Sequence, residues 1–199
     1  MLHPFVQAAM HSPHDAGVRQ IAALSARLAY ALMCLTLSWG VLVSTGWVHR
    51  LTGRSATRDS HMFMATLTLA FGLLHVFSFL YLSDSNEIFS PVDLSVPMAD
   101  GLLRHASGII GLEVMIAIVV SVAFQRFLKY RRWLFLHRLA YPAVALLVIH
   151  SLFGAIANGH LEVDWLAGIT LFVPTAVLAV LRFVPSRVLD DVGLVKEDA

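Results

Sequence analysis

Residues 137 to 150 read HRLAYPAVALLVIH. The middle of the stretch suits a lipid interior, yet His137 and Arg138 open it, Pro142 interrupts it and His150 closes it. A second stretch, HMFMATLTLAFGLLH at residues 61 to 75, repeats the pattern of an apolar run bounded by imidazoles. At a helical rise of about 1.5 Å per residue, the fourteen positions from His61 to His75 span about 21 Å, and the thirteen from His137 to His150 span about 20 Å. Each run can therefore hold one imidazole near either face of a hydrocarbon core about 30 Å thick.

The surrounding chain of 199 residues is 58% apolar and 14% charged. A water-soluble globule of that size would lack the polar surface to cover itself, so the chain belongs in a membrane. Lipid offers backbone groups no hydrogen-bond partner, which makes helices the expected form. Crossing takes about 20 mostly apolar residues. Five segments meet that need: Leu28 to Val48, Met62 to Leu82, His105 to Gln125, Trp133 to Ala157, and Trp165 to Leu181. The expected fold class is all-α, an integral membrane bundle of five transmembrane helices joined by mostly short polar loops. The single cysteine, Cys34, allows neither an intrachain disulfide nor a thiolate metal cage. The first twenty residues lack the basic and apolar order of a cleaved signal peptide and read as a tail.

Charge sets the orientation. Arg50, Arg54, Arg58, Arg126, Lys129, Arg131, Arg132, Arg182, Arg187 and Lys196 fall on one side. The other carries Arg19, Arg27 and Arg104 beside Asp84, Glu87, Asp93, Asp100, Glu162 and Asp164. Basic loops stay cytoplasmic, so the N-terminus is expected outside and the C-terminus in the cytoplasm. Both histidine-bounded helices then run from inside to outside, which levels His61 with His137 and His75 with His150. The net charge of +1 argues neither for nor against nucleic acid, and no nucleic-acid partner is expected of a chain embedded in lipid.

Two facing imidazoles inside an apolar bundle are the donor set that bis-histidine haem iron requires. Fourteen residues return to within about 40° of the starting direction, whereas thirteen leave an offset of about 140°. Pro142, which removes a backbone hydrogen bond, is one means of retwisting the second helix; differently tilted haems are another. Two alternatives stand beside haem. Histidines in membrane helices also serve as packing hydrogen-bonders, although ionisable groups at this depth are rare. Zinc or copper fits less well, because no carboxylate or thiolate accompanies either pair.

The spacings of these four histidines, with the run W-x-x-x-H-R-L-x-Y at Trp133, His137, Arg138, Leu139 and Tyr141, resemble the ferric reductase-like transmembrane domain. That domain is shared by NADPH oxidases, ferric reductases and the haem-binding membrane subunit of the bacterial periplasmic methionine sulfoxide reductase system. The resemblance covers about residues 25 to 184, leaving residues 1 to 24 and 185 to 199 as tails. It implies two haem b groups, with His61 and His137 on the inner iron and His75 and His150 on the outer. Two departures qualify it. The sequence ends at Ala199 without the FAD and NADPH domain of many family members, so a separate flavoprotein reductase, with FMN or FAD, or a membrane quinol is the expected donor. Phe79 occupies the position where family oxidases carry a second outer histidine, which argues against a dedicated superoxide-producing site. Arg27 resembles the arginine that those oxidases place near the outer haem.

Haem propionates need donors, and arginine offers a planar fork that matches a carboxylate. Arg58, Arg131 and Arg138 are the inner candidates, and Arg27, Arg104 and His105 the outer ones, the latter also marking an acceptor site. Setting topology or meeting lipid headgroups is the plainer role for most of them. Glu113, well inside the third span, reads as a proton relay, a hydrogen-bonder to an axial histidine or a quinone, or a protonated carboxyl bonded to a neighbouring helix. Gly108 and Gly111 permit close packing or room for a porphyrin. His3, His11, His14, His49 and His160 read as solvated. The second loop, with Pro91 and Pro97, is a candidate lid over the outer haem. The expected protein is a multi-pass cytochrome b of a cell inner membrane, moving electrons from a cytoplasmic flavoprotein or quinol to ferric iron, oxygen or a periplasmic redox protein. A quinol-linked anchor subunit of a larger dehydrogenase or hydrogenase, and a membrane scaffold with packing histidines, are the alternatives.

Overall fold

The computed structural model describes residues 12–45, 53–83, 90–97, 102–159, 161–185 and 188, with the backbone alone at 102–103 and 161–167. His3, His11, His49, Arg50, Asp84, Glu87, Asp100, His160, Arg187 and Lys196 lie outside the described residues. The described chain is helical and contains no strand. Helix α1 is Pro13–Thr45, α2 is Arg54–Ser78, α3 is Ser107–Ala123, α4 is Tyr130–Arg138, α5 is Ala140–Ala157 and α6 is Leu161–Leu181. Short 3-10 turns follow α2 and α3, and a wider π-type turn at Leu102–Ala106 leads into α3.

The local sequence explains where these helices start and stop. Ser12 caps α1 by accepting the Asp15 backbone N–H at 3.1 Å, and Pro13 takes the first helical position, where a missing N–H costs nothing. Helix α1 runs 33 residues, about 50 Å, well beyond the hydrocarbon thickness. It begins far ahead of the span expected from Leu28, so residues 13 to 24 are helix. Gly53, with φ +76°, turns the chain into α2 in a conformation that favours glycine. Gly159, with φ +69°, follows the end of α5 in the same way.

The expected disturbance at Pro142 takes the form of a tight turn at Leu139 that divides the fourth span into α4 and α5. Pro142 has no N–H to offer the Arg138 carbonyl. The Leu139 N–H instead reaches the Leu136 carbonyl at 3.1 Å, a 3-10 contact that winds the chain faster than an α-helix, and the Ala143 N–H resumes α-type bonding to Leu139 at 3.0 Å.

Among the described residues four segments are long and apolar enough to cross a membrane: Pro13–Thr45, Arg54–Tyr81, Arg104–Ala123 and Tyr130–Ala157. Large apolar side chains such as Phe63, Phe77, Val120 and Phe135 face outward, as in a protein whose solvent is lipid. The closest packing joins α1 to α2 and α3 to α5, with α6 laid against α1. Polar side chains fasten these seams. Thr36 and Thr68 hydroxyls meet at 3.2 Å, and the Trp39 indole donates to the Thr57 carbonyl at 2.9 Å. Ser38 and Thr175 meet at 3.0 Å, and Tyr30 donates to the Gly168 carbonyl at 3.3 Å. Such contacts hold membrane helices together where burial of apolar surface gives little driving force.

Asp15 ties the start of α1 to the end of α2. Its carboxylate accepts the Ser83 N–H at 3.0 Å and the Ser83 hydroxyl at 2.8 Å, with the His14 ring at 3.1 Å. Asp15→Ala is expected to lower the unfolding temperature in detergent, because both Ser83 bonds lose their acceptor; an unchanged unfolding temperature would show that this carboxylate does not fasten the junction.

Candidate functional site

The four histidines meet in two pairs between helices that otherwise stand apart. His61 and His75 project from α2, His137 from α4 and His150 from α5. The rings of His61 and His137 lie 6.1 Å apart, centroid to centroid, and cross at 65°. Those of His75 and His150 lie 6.2 Å apart and cross at 68°. Among the described residues α2 and α5 are not a closely packed pair, so imidazoles bridge the space between the α1–α2 and α3–α5 hairpins. A metal ion bound to two imidazole nitrogens at about 2 Å each separates the ring centroids by about 6 Å. Both levels have that spacing.

At one level the rings are oriented by backbone. The His75 Nδ1–H donates to the Ala22 carbonyl at 2.9 Å, and the His150 Nδ1–H donates to the Arg104 carbonyl. A carbonyl only accepts, so these partners assign the proton to Nδ1 and leave the Nε2 lone pair free for a metal. At the other level packing dominates. Trp133, one turn before His137, stacks on its ring at 5.1 Å and 22°. His61 Nδ1, His137 Nδ1 and the Trp133 indole nitrogen are all buried without a hydrogen-bond partner among the described residues. Three such nitrogens at one level fit a place where a bound group, rather than the chain, completes the polar contacts. Among the described residues no three His, Cys, Asp or Glu side chains come together.

The other residues expected at the site lie around it. Arg58, Arg131 and Arg138 are exposed at the end of the bundle nearer His61 and His137. Arg104 is exposed and contributes its backbone carbonyl to His150, while His105 beside it is half-buried. Arg27 is exposed on α1, and Glu113 lies on an exposed face of α3, where no hydrogen bond or ion pair reaches it among the described residues. Phe79 packs its ring against the edge of His75 at 5.1 Å. In the second loop, Ser90 donates its N–H and hydroxyl to Asp93, closing a turn over residues 90–97. The carbonyls of Ala22 and Arg104 carry no sequence signal, because every residue has one. Trp133 could have been placed from its four-residue spacing to His137, which puts the two side chains on one helix face.

The site is thus two pairs of imidazoles among helices long and apolar enough to cross a membrane. The sequence model of one family, the ferric reductase like transmembrane component, matches residues 25–148. That match covers more than half of the chain, and the protein belongs to this family of membrane domains, which typically bind haem. It includes His61, His75 and His137 and stops two residues before His150. No curated protein and no solved structure matches the chain.

The backbone contacts are open to direct measurement. In chain prepared without haem, side-chain nitrogen NMR is expected to show His75 and His150 protonated at Nδ1 with Nε2 unprotonated. The opposite tautomer at both would remove the orientation argued for these rings.

Proposed function

We propose that the protein is a dihaem b-type cytochrome that carries electrons across the cell inner membrane, from a cytoplasmic flavoprotein or a membrane quinol to an extracytoplasmic acceptor such as ferric iron, oxygen or a periplasmic redox protein. The observation that carries this reading is the pair of imidazole couples, each separated by about the distance that a shared metal imposes. His61 and His137 hold the inner haem, and His75 and His150 the outer. Bound haem supplies one-electron chemistry at each level.

The chain supplies the rest. Helices α1 to α5 wall both levels with apolar side chains and keep water from the ligands. The Ala22 and Arg104 carbonyls lock His75 and His150 as Nε2 donors and raise their basicity. Arg58, Arg131 and Arg138 offer donors to propionates on the inner side, while Arg27, Arg104 and His105 line the approach of the acceptor. Glu113 exchanges protons with a partner or quinone outside the bundle. Helix α6 is the fifth span, the N-terminus lies outside, and the basic inner loops receive the donor. Residues 25–184 act as the electron-carrying domain, with 1–24 and 185–199 flanking it.

The reduced-minus-oxidised spectrum of the purified protein is expected to show a b-type signal and a haem assay two haems per chain. His61→Ala and His137→Ala should each abolish the same spectral component, and His75→Ala and His150→Ala the other. Absence of a b-type signal would overturn the reading in favour of packing histidines, and four variants that all retain two haems would overturn the ligands. Reduction by NAD(P)H in membranes extracted of quinone would mark the flavoprotein route, whereas its loss would mark the quinol route.

A further inference from the structure

Two ligand imidazoles lie against helix glycines that leave them no room for a side chain. A Cβ added at Gly108 of α3 would sit 2.6 Å from Nδ1 of His150 and 2.9 Å from its Cγ and Cε1. A Cβ at Gly40 of α1 would sit 3.0 Å from Cε1 of His61 and 3.5 Å from its Nδ1. At Gly108 the ring would have to shift, and at Gly40 it would have to give by a few tenths of an ångström. Glycine is also a poorer residue than alanine in a helix interior, so helix formation does not explain its presence at either place.

Gly108 also stands in a set relation to a carbonyl. The Arg104 carbonyl, which accepts the His150 Nδ1–H, comes four residues before it. A helix carbonyl has two lone pairs, and its second lone pair is reachable only where no side chain one turn later covers it. We propose that Gly40 and Gly108 are positioning residues, each a notch that admits one ligand imidazole: Gly40 for His61 and Gly108 for His150, where the notch also opens the Arg104 carbonyl to the ring. The arrangement is diagonal across the site. Each hairpin supplies one notch, and each iron level has one notched ligand. The inference rests on the haem reading above.

Neighbouring glycines provide the controls. A Cβ at Gly111 would meet the Leu147 side chain at 2.8 Å and the Ala143 carbonyl at 3.3 Å, crowded as at Gly108 and in the same helix pair but against no imidazole. At Gly72 it would make an ordinary 3.6 Å contact with Leu112, and at Gly154 it would meet nothing within 4 Å. The test is low-temperature EPR of the oxidised holoprotein, in which each bis-histidine haem gives its own low-spin signal and the signal position reports ligand orientation. Gly108→Ala is expected to shift or remove the signal that His150→Ala removes. Gly40→Ala is expected to do the same to the signal that His61→Ala removes. Gly72→Ala and Gly154→Ala should leave both in place, and Gly111→Ala should lower stability without moving either. Unchanged signals in Gly40→Ala and Gly108→Ala would overturn the inference, as would an equal shift in Gly111→Ala, which would reduce the effect to helix spacing. Gly40→Ala, with its milder crowding, carries the test if Gly108→Ala does not accumulate. A wild-type protein without low-spin signals would instead defeat the haem reading itself.

Discussion

An imidazole in a lipid interior has no water to turn to, so its two nitrogens must be satisfied by the protein or by something the protein binds. This protein carries four such rings at two depths, and much of its architecture answers to them. Two nitrogens are given to the carbonyls of Ala22 and Arg104. Two more, at His61 and His137, are buried without a partner among the described residues. The helices that carry the rings do not close on one another as α1 closes on α2 or α3 on α5. Tight packing within each hairpin and a looser meeting between hairpins is the division of labour that a cofactor bundle requires.

The two levels are held by different physics. Hydrogen bonds to backbone fix ring direction and tautomer together, and they draw on helix turns that are rigid because their own ladders hold them. Stacking fixes the ring plane but leaves the choice of protonated nitrogen open. His75 and His150 are held by the first means, and His137, against Trp133, by the second. His61 has neither, and its edge lies against Gly40. Rings constrained so differently give bound groups different surroundings even when the ligand atoms are the same.

Much of the bundle was legible because lipid imposes simple rules. Of the five spans expected from length and hydropathy, four coincide with α1, α2, α3 and the α4–α5 pair, and histidine spacing anticipated which rings meet. What escaped the sequence has physical causes. Helix α1 begins at Pro13 because Ser12 caps it by accepting the Asp15 N–H, and an apolar window takes no account of capping. The carbonyls of Ala22 and Arg104 were invisible because backbone acceptors do not differ from residue to residue. The exposure of Glu113 depends on the rotation of α3, which packing sets; the Gly108 and Gly111 face turns towards α5, and Glu113 is carried to an exposed face. Pro142 was legible as a disturbance, while the break itself appears at Leu139, since a proline acts on the carbonyl four residues before it and the turn forms beside that carbonyl.

That break follows from arithmetic as much as from proline. On α2, fourteen residues bring His61 and His75 back to nearly one face, and the helix stays continuous from Arg54 to Ser78. On the opposite side only thirteen residues separate His137 from His150, and an unbroken helix would turn one of them away from α2. Interrupting the helix at Leu139 uncouples the two. His137 then takes its direction from the short helix α4, where Trp133 stacks on it, and His150 takes its own from α5 against α3. A continuous helix could serve both levels only at α2's spacing, so the thirteen-residue interval and the break beside His137 are parts of one solution.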